Sequence, residues 1–146
     1  MEKWGAPEDS KIMVYKGNFI IPMVKISDNV IILPQPSRGW GQDPIKMYHD
    51  VTLPPHHQYV AVYLWLKNKF KADAIINLGT HGTHEWMPGK QAGTIYWDNG
   101  DYLVQDIPVL YPYVMDDIGE AIQAKRRGRG IILSHLTPVI KKGKPL

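Results

Sequence analysis

There is no cysteine among the 146 residues, which removes disulfides, thiolate metal sites and cysteine-ligated iron–sulfur clusters. Nor does any apolar run approach the roughly 20 residues that a membrane-spanning helix needs. The first residues, Met1-Glu2-Lys3-Trp4-Gly5, lack the apolar stretch of a secretory signal, so a cytoplasmic location is expected. Charge imbalance is also slight, at +3. The basic residues do cluster at Lys125-Arg126-Arg127-Gly128-Arg129 and Lys141-Lys142-Gly143-Lys144. No helix-turn-helix, zinc-finger or RNA-recognition signature accompanies them, so an anionic small molecule or acidic surface is expected rather than nucleic acid.

What is present suits one globular domain over 1–146, since 44% hydrophobic and 21% charged residues are ordinary for a chain with a buried core. Phe19 to Met23 suggests a short edge strand because of Pro22, and Val30 to Leu33 a buried one. Tyr59, Tyr63, Leu66 and Phe70 fall at helical spacing, predicting a helix over about 56–70. Ala74 to Ile76 reads as a buried strand. Trp97 to Asp101 reads as a turn. Val109 to Val114 reads as a strand in which Pro112 argues for an edge or an irregular path. Asp117 and Glu120 have capping-box spacing, Ile118, Ala121 and Ile122 form an apolar stripe, and Gly128 stops that helix. Ile131 to Leu133 is a last strand. The alternation predicts an α/β domain, layered, with a largely parallel sheet flanked by helices.

The most informative stretch is Asn77-Leu78-Gly79-Thr80-His81-Gly82-Thr83-His84-Glu85-Trp86-Met87-Pro88-Gly89-Lys90. Loops leaving strand ends are where open α/β sheets bind ligands, and Gly79 and Gly82 allow sharp turns. His81, His84 and Glu85 offer nitrogen and oxygen donors to a divalent metal, and on one helical turn they share a face. The plain alternative is a capping imidazole beside a surface glutamate. The order is not His-Glu-x-x-His, so a zincin-type protease site is absent. A P-loop is also excluded, because its first glycine would fall at His84 and Gln91 replaces the hydroxyl residue. Any ATP must therefore be bound by another subunit.

Elsewhere, a carboxylate beside an imidazole at His49-Asp50 can orient it. Arg38 can clamp a carboxylate through its planar fork. Trp40 and Trp86, in glycine-rich loops, can cover a flat ring or simply pack. Metal ligands, a base, carboxylate clamps and aromatic faces fit several tasks. One is inserting a divalent metal into a macrocycle that must lose its pyrrole protons to a general base.

The runs Gln35-Pro36-Ser37-Arg38-Gly39-Trp40-Gly41, Tyr48-His49-Asp50, Pro54-Pro55-His56-His57-Gln58-Tyr59, Leu78-Gly79-Thr80-His81-Gly82-Thr83, Glu85-Trp86-Met87-Pro88-Gly89-Lys90 and Gln123-Ala124-Lys125-Arg126-Arg127 carry a resemblance. The chain resembles the large subunit of the cobaltochelatase and magnesium chelatase family, the cobaltochelatase branch most closely. The resemblance implies ATP-dependent insertion of Co2+ into a corrin-ring precursor, or of Mg2+ into protoporphyrin, with AAA+ and adaptor subunits hydrolysing the ATP. It implies Glu85 and His81 as the catalytic pair and as metal contacts, with His84 beside them either an additional metal ligand or merely tolerated. It also implies tetrapyrrole contacts from Arg38, His49, Trp86, Lys90 and Arg126. His84 stands where the family usually has an apolar residue. The family's large subunit is several times longer, so the chain is expected to be a fragment, inactive alone. A rival reading is a non-catalytic module that holds a tetrapyrrole or a metal.

Overall fold

The structure, a computed structural model, describes residues 4–38, 50–79, 84–112, 117–134, 140–141 and 144–145. Two small hairpins come first. Val14–Tyr15 (β1) pairs antiparallel with Asn18–Phe19 (β2), across Lys16 and Gly17 at φ 49° and 76°. Two positive φ values in a two-residue loop match the right-handed twist of the flanking strands. Val24–Lys25 (β3) then pairs antiparallel with Ile31–Ile32 (β4). The expected buried strand at Val30 to Leu33 is thus an outer hairpin arm, with Val30 and Ile32 exposed. Its apolar run is too short to distinguish a core strand from a hairpin.

The helix expected over 56–70 divides in two. Helix α1 covers His57–Trp65, and Leu66–Phe70 continues as a π-helical turn that ends on Lys71 at φ 57°. The apolar spacing was right. The change of winding was hidden, because both windings present nearly the same face over so short a stretch.

A three-stranded parallel sheet follows, in the order Ile75–Ile76 (β5), Val109–Pro112 (β6), Gly130–Leu133 (β7). Pro112 therefore ends the central strand rather than marking an edge. The reason is geometric. Leu110 O accepts from Asn77 N, so the backbone groups of residues 110 and 112 face β5. That strand has already ended at Ile76, and the missing N–H of Pro112 leaves no gap in the ladder.

The crossover from β5 to β6 carries the short 3-10 turn His84–Trp86 and helix α2, Asn99–Val104. Helix α2 replaces the turn expected at 97–101. Asn99 and Gly100 are poor helix formers, but Gly100 serves contact: a Cβ there would lie 1.9 Å from Arg127 O. The crossover from β6 to β7 is helix α3, Ile118–Gly128. Both crossovers run in the same direction, and right-handed connections then bring their helices to one face. Tyr59 and Tyr63 of α1, Met87, Leu103 and Val104 of α2 and Val109 form the main core on that face. Tyr111 and Ala124 form a smaller one with Ala121 and Ile132. Ile140–Lys141 (β8) and Lys144–Pro145 (β9) make a last antiparallel pair. Among the described residues no helix is long and apolar enough to cross a membrane.

Two expectations about α3 change. Asp117 does cap it, accepting from Glu120 N at 3.3 Å. Its buried face, however, is Glu120, Ala124, Arg127 and Gly128, while Ile118 and Ile122 are exposed. The reversal matches the polar turn packed against α3. Gly128 is the last helical residue rather than the stop, and Arg129 at φ 51° ends the helix.

Candidate functional site

The His84–Trp86 turn packs between α2 and α3, and three side chains hold it in place. Arg38 donates to Trp86 O at 3.3 Å, Arg127 donates to Met87 O, and Trp86 Nε1 donates to Glu120 Oε2 at 3.1 Å. These charged contacts grip the backbone just after Glu85, so its position does not depend on apolar packing alone. Gly128 allows the close approach, since a Cβ there would lie 2.8 Å from His84 Nε2 and 3.0 Å from Glu85 Cβ.

Glu85 is fully buried, at 0% exposure. Burial is the main cause of a pKa pushed up to about 7, and the charge of Glu120 adds to it. The residue's own backbone N–H and the guanidiniums of Arg38 and Arg127 pull the other way and are outweighed. Among the described residues neither carboxyl oxygen has a hydrogen-bond partner.

His84 is buried beside it, with Nδ1 3.3 Å from Glu85 Oε2 and Nε2 2.8 Å from Gly128 O. A carbonyl only accepts, so Nε2 carries the proton and Nδ1 presents its lone pair towards the carboxyl group. The 3.3 Å approach lacks hydrogen-bond geometry. Burial also holds the His84 pKa below its usual value, against the opposing effects of Gly128 O and Asp101. The imidazole is therefore neutral, and the pair is not an ion pair at neutral pH. Arg127 is itself depressed by burial, and Glu85 and Asp98 counter this in turn.

The expected site residues fall into separate places. Arg38, His84, Glu85 and Trp86 come together around the turn. Lys90 is exposed, with Nζ 3.6 Å from Asp98 Oδ2, and the Arg126 side chain is exposed while its carbonyl accepts from Thr94 Oγ1 at 3.3 Å. His49 and Trp40 in residues 39–49, and His81 in 80–83, lie outside the described residues. His84 Nδ1 and a Glu85 oxygen are two donors a metal could use. No group of three or more metal-binding side chains occurs among the described residues. Asp50 Oδ1 accepts from Thr52 N and Oγ1 and from Leu53 N, closing a turn. His56 stands at the N-cap position of α1 without a side-chain capping bond, and is buried at 1% exposure against Trp4.

Two residues of this site escaped the sequence reading, which placed Arg127 in a basic patch facing an anionic small molecule or acidic surface and Glu120 in a capping box. The available signal was Ala124 and Gly128, four apart on the face that also carries Glu120 and Arg127. Small residues at that spacing mark a close approach, and charges beside them mark a polar neighbour.

Comparison with known proteins agrees over nearly the whole chain. Residues 1–144 match the family model described as CobN/Magnesium Chelatase. The aerobic cobaltochelatase subunit CobN of Pseudomonas aeruginosa is 35% identical over 99% of the chain and 11% of its own length. The chloroplastic magnesium-chelatase subunit ChlH of Oryza sativa subsp. indica is 36% identical over 94% of the chain and 10% of its own. The solved catalytic subunit of cobaltochelatase from Mycobacterium tuberculosis superposes with a TM-score of 0.76 at 37% identity, covering 94% of the chain and 12% of that structure. The chain thus spans about a tenth of the length of the relatives it matches, and it belongs to the CobN/magnesium chelatase family.

Proposed function

We infer that this chain is a catalytic-region domain of a chelatase large subunit that inserts Co2+ into a corrin-ring precursor, with ATP hydrolysed by AAA+ and adaptor partners in the cytoplasm. The observation that carries this reading is Glu85, a buried carboxyl group with a pKa near 7. Metal insertion must remove pyrrole protons, and a base works best when its pKa lies near the working pH. Glu85 is that base. Arg38 and Arg127 hold its turn, and His84 presents a neutral nitrogen beside it. His81, next in the motif, completes the catalytic pair and hands over the metal together with Glu85 and His84. Arg38, His49, Trp86, Lys90 and Arg126 contact the tetrapyrrole. Apart from its large-subunit context the domain is inactive.

Insertion of Mg2+ into protoporphyrin is the second reading, favoured by the near-equal identity to a magnesium-chelatase subunit. The imidazole-rich loop favours cobalt, because Mg2+ prefers oxygen ligands. A module that holds a tetrapyrrole or metal without inserting it is the rival from another class. Ring binding without insertion, with the ATPase subunits present, would favour it.

The test is Glu85→Gln in the full large subunit assembled with its ATPase partners. Insertion should fall by about 10²- to 10⁴-fold while ring binding and cooperative unfolding persist. Unchanged turnover would refute the role.

A further inference from the structure

On the crossover that also carries the Glu85 turn lies an exposed aromatic segment with no place in the reading so far. Tyr96 and Trp97 are 68% and 62% exposed, with ring centroids 3.7 Å apart, and Ile95 and Tyr102 extend the apolar area. Holding large aromatic faces in water is unfavourable, and a contiguous exposed apolar patch commonly marks a contact surface.

The segment carrying them is well fastened. Asp98 Oδ2 accepts from Ile95 N at 2.7 Å, Asp98 N donates back to Ile95 O at 2.8 Å, and Asp98 O accepts from Tyr102 N at 2.8 Å, starting α2. Thr94 Oγ1 ties the segment to Arg126 O on α3. Asn99 Nδ2 ties it to Pro88 O at 2.5 Å, at the end of the Glu85 turn. The aromatic faces therefore belong to the same block as the Glu85 turn.

The same block carries exposed cations. Lys90 Nζ sits at the Asp98 carboxylate with its side chain half exposed, and Lys125 and Arg126 are exposed on the last turns of α3. The two rings are inclined at 45° to one another, so one of them at a time can lie flat against a planar ring, and ammonium and guanidinium groups on the same block suit carboxylates on that ring's rim.

We propose that Tyr96 and Trp97 form a stacking platform for a planar, carboxylate-bearing macrocycle, with Lys90 and Arg126 receiving its peripheral carboxylates. This rests on the tetrapyrrole-binding reading and locates the ring face on residues to which that reading gave no role.

The experiment titrates the chain with uroporphyrin, a water-soluble ring with eight carboxylates, following the ring's own absorbance band so that loss of a tryptophan does not disturb the signal. A tetracationic N-methylpyridyl porphyrin serves as the charge control. Tyr96→Ala with Trp97→Ala should weaken uroporphyrin binding about tenfold or more. Lys90→Gln with Arg126→Gln should weaken it severalfold, reduce its salt dependence and leave the cationic ring no weaker. All four positions are exposed, so unchanged thermal melting shows that the variants still fold. Wild-type binding that survives loss of both aromatics overturns the platform and leaves the tetrapyrrole reading standing. A wild-type chain that takes up neither ring overturns both.

Discussion

A carboxyl group with a pKa near 7 has two consequences that run in opposite directions with pH. The proposed general base, Glu85, works only when ionised, so insertion should rise about tenfold per pH unit on the acid side and level off above pH 7. Stability goes the other way. Between 4.5 and about 7 the folded chain holds this proton more tightly than the unfolded chain does, so folding weakens as pH rises through that window, by something on the order of 3 kcal/mol. His84 and His56, both depressed by burial, contribute the opposite slope as pH falls. The difference between wild type and Glu85→Gln separates these contributions. Urea midpoints at pH 4.5 should nearly agree, and at pH 8 the Gln variant should be the more stable. Gly128 supplies a second residue-scale prediction. Alanine would gain up to about 1 kcal/mol of helix propensity, but its Cβ would press on His84 and Glu85, and overpacking costs about 1–3 kcal/mol. Gly128→Ala should therefore lower the melting temperature. Gly119→Ala should raise it, because a Cβ there meets nothing nearer than Asp117 Oδ1 at 3.7 Å.

At the scale of elements, α3 shows both what the sequence discloses and what it withholds. Its start, length and basic last turn were legible, because caps and charges at helix ends act locally. Its inward face was not. Apolar periodicity assumes an apolar neighbour, and here the neighbour is a turn carrying a carboxyl group and two backbone carbonyls held by arginines. The same limit hid α2, whose Gly100 is explained only by the backbone of α3. The motif loop stood out in the sequence as a candidate site because its residue types are costly to bury without purpose. The structure adds which partners hold them. Ile118 and Ile122 thus behave as surface residues, and Ile118→Ser should change stability by no more than about 0.5 kcal/mol. Arg127→Met should instead remove a cation that helps keep Glu85 ionised. The acid limb of the insertion profile should then move above its wild-type position, and Arg127→Lys should restore part of the shift. A limb that stays in place while activity merely falls would reduce Arg127 to a packing role.

For the whole molecule, the consequence of running both crossovers in one direction is a sheet with unlike faces. Ile75, Val109 and Tyr111 point to the helices, and the alternate residues Ile76, Leu110, Ile131 and Leu133 point away. Ile76, Ile131 and Leu133 are between 49% and 63% exposed, whereas parallel sheets are ordinarily covered on both sides. The stripped face should therefore add little to the stability of this chain, despite being as aliphatic as the other. Val109→Ala, at 1% exposure, should cost about 2 kcal/mol through lost burial and the cavity left behind. Ile131→Thr keeps the β-branch that suits a strand and removes only half-exposed apolar area, so its cost should stay below about 1 kcal/mol. Urea unfolding of the two variants, read at unchanged m-value, makes the comparison. Equal costs would mean that Ile131 is buried in solution, and the one-sided arrangement derived from strand order would have to be abandoned.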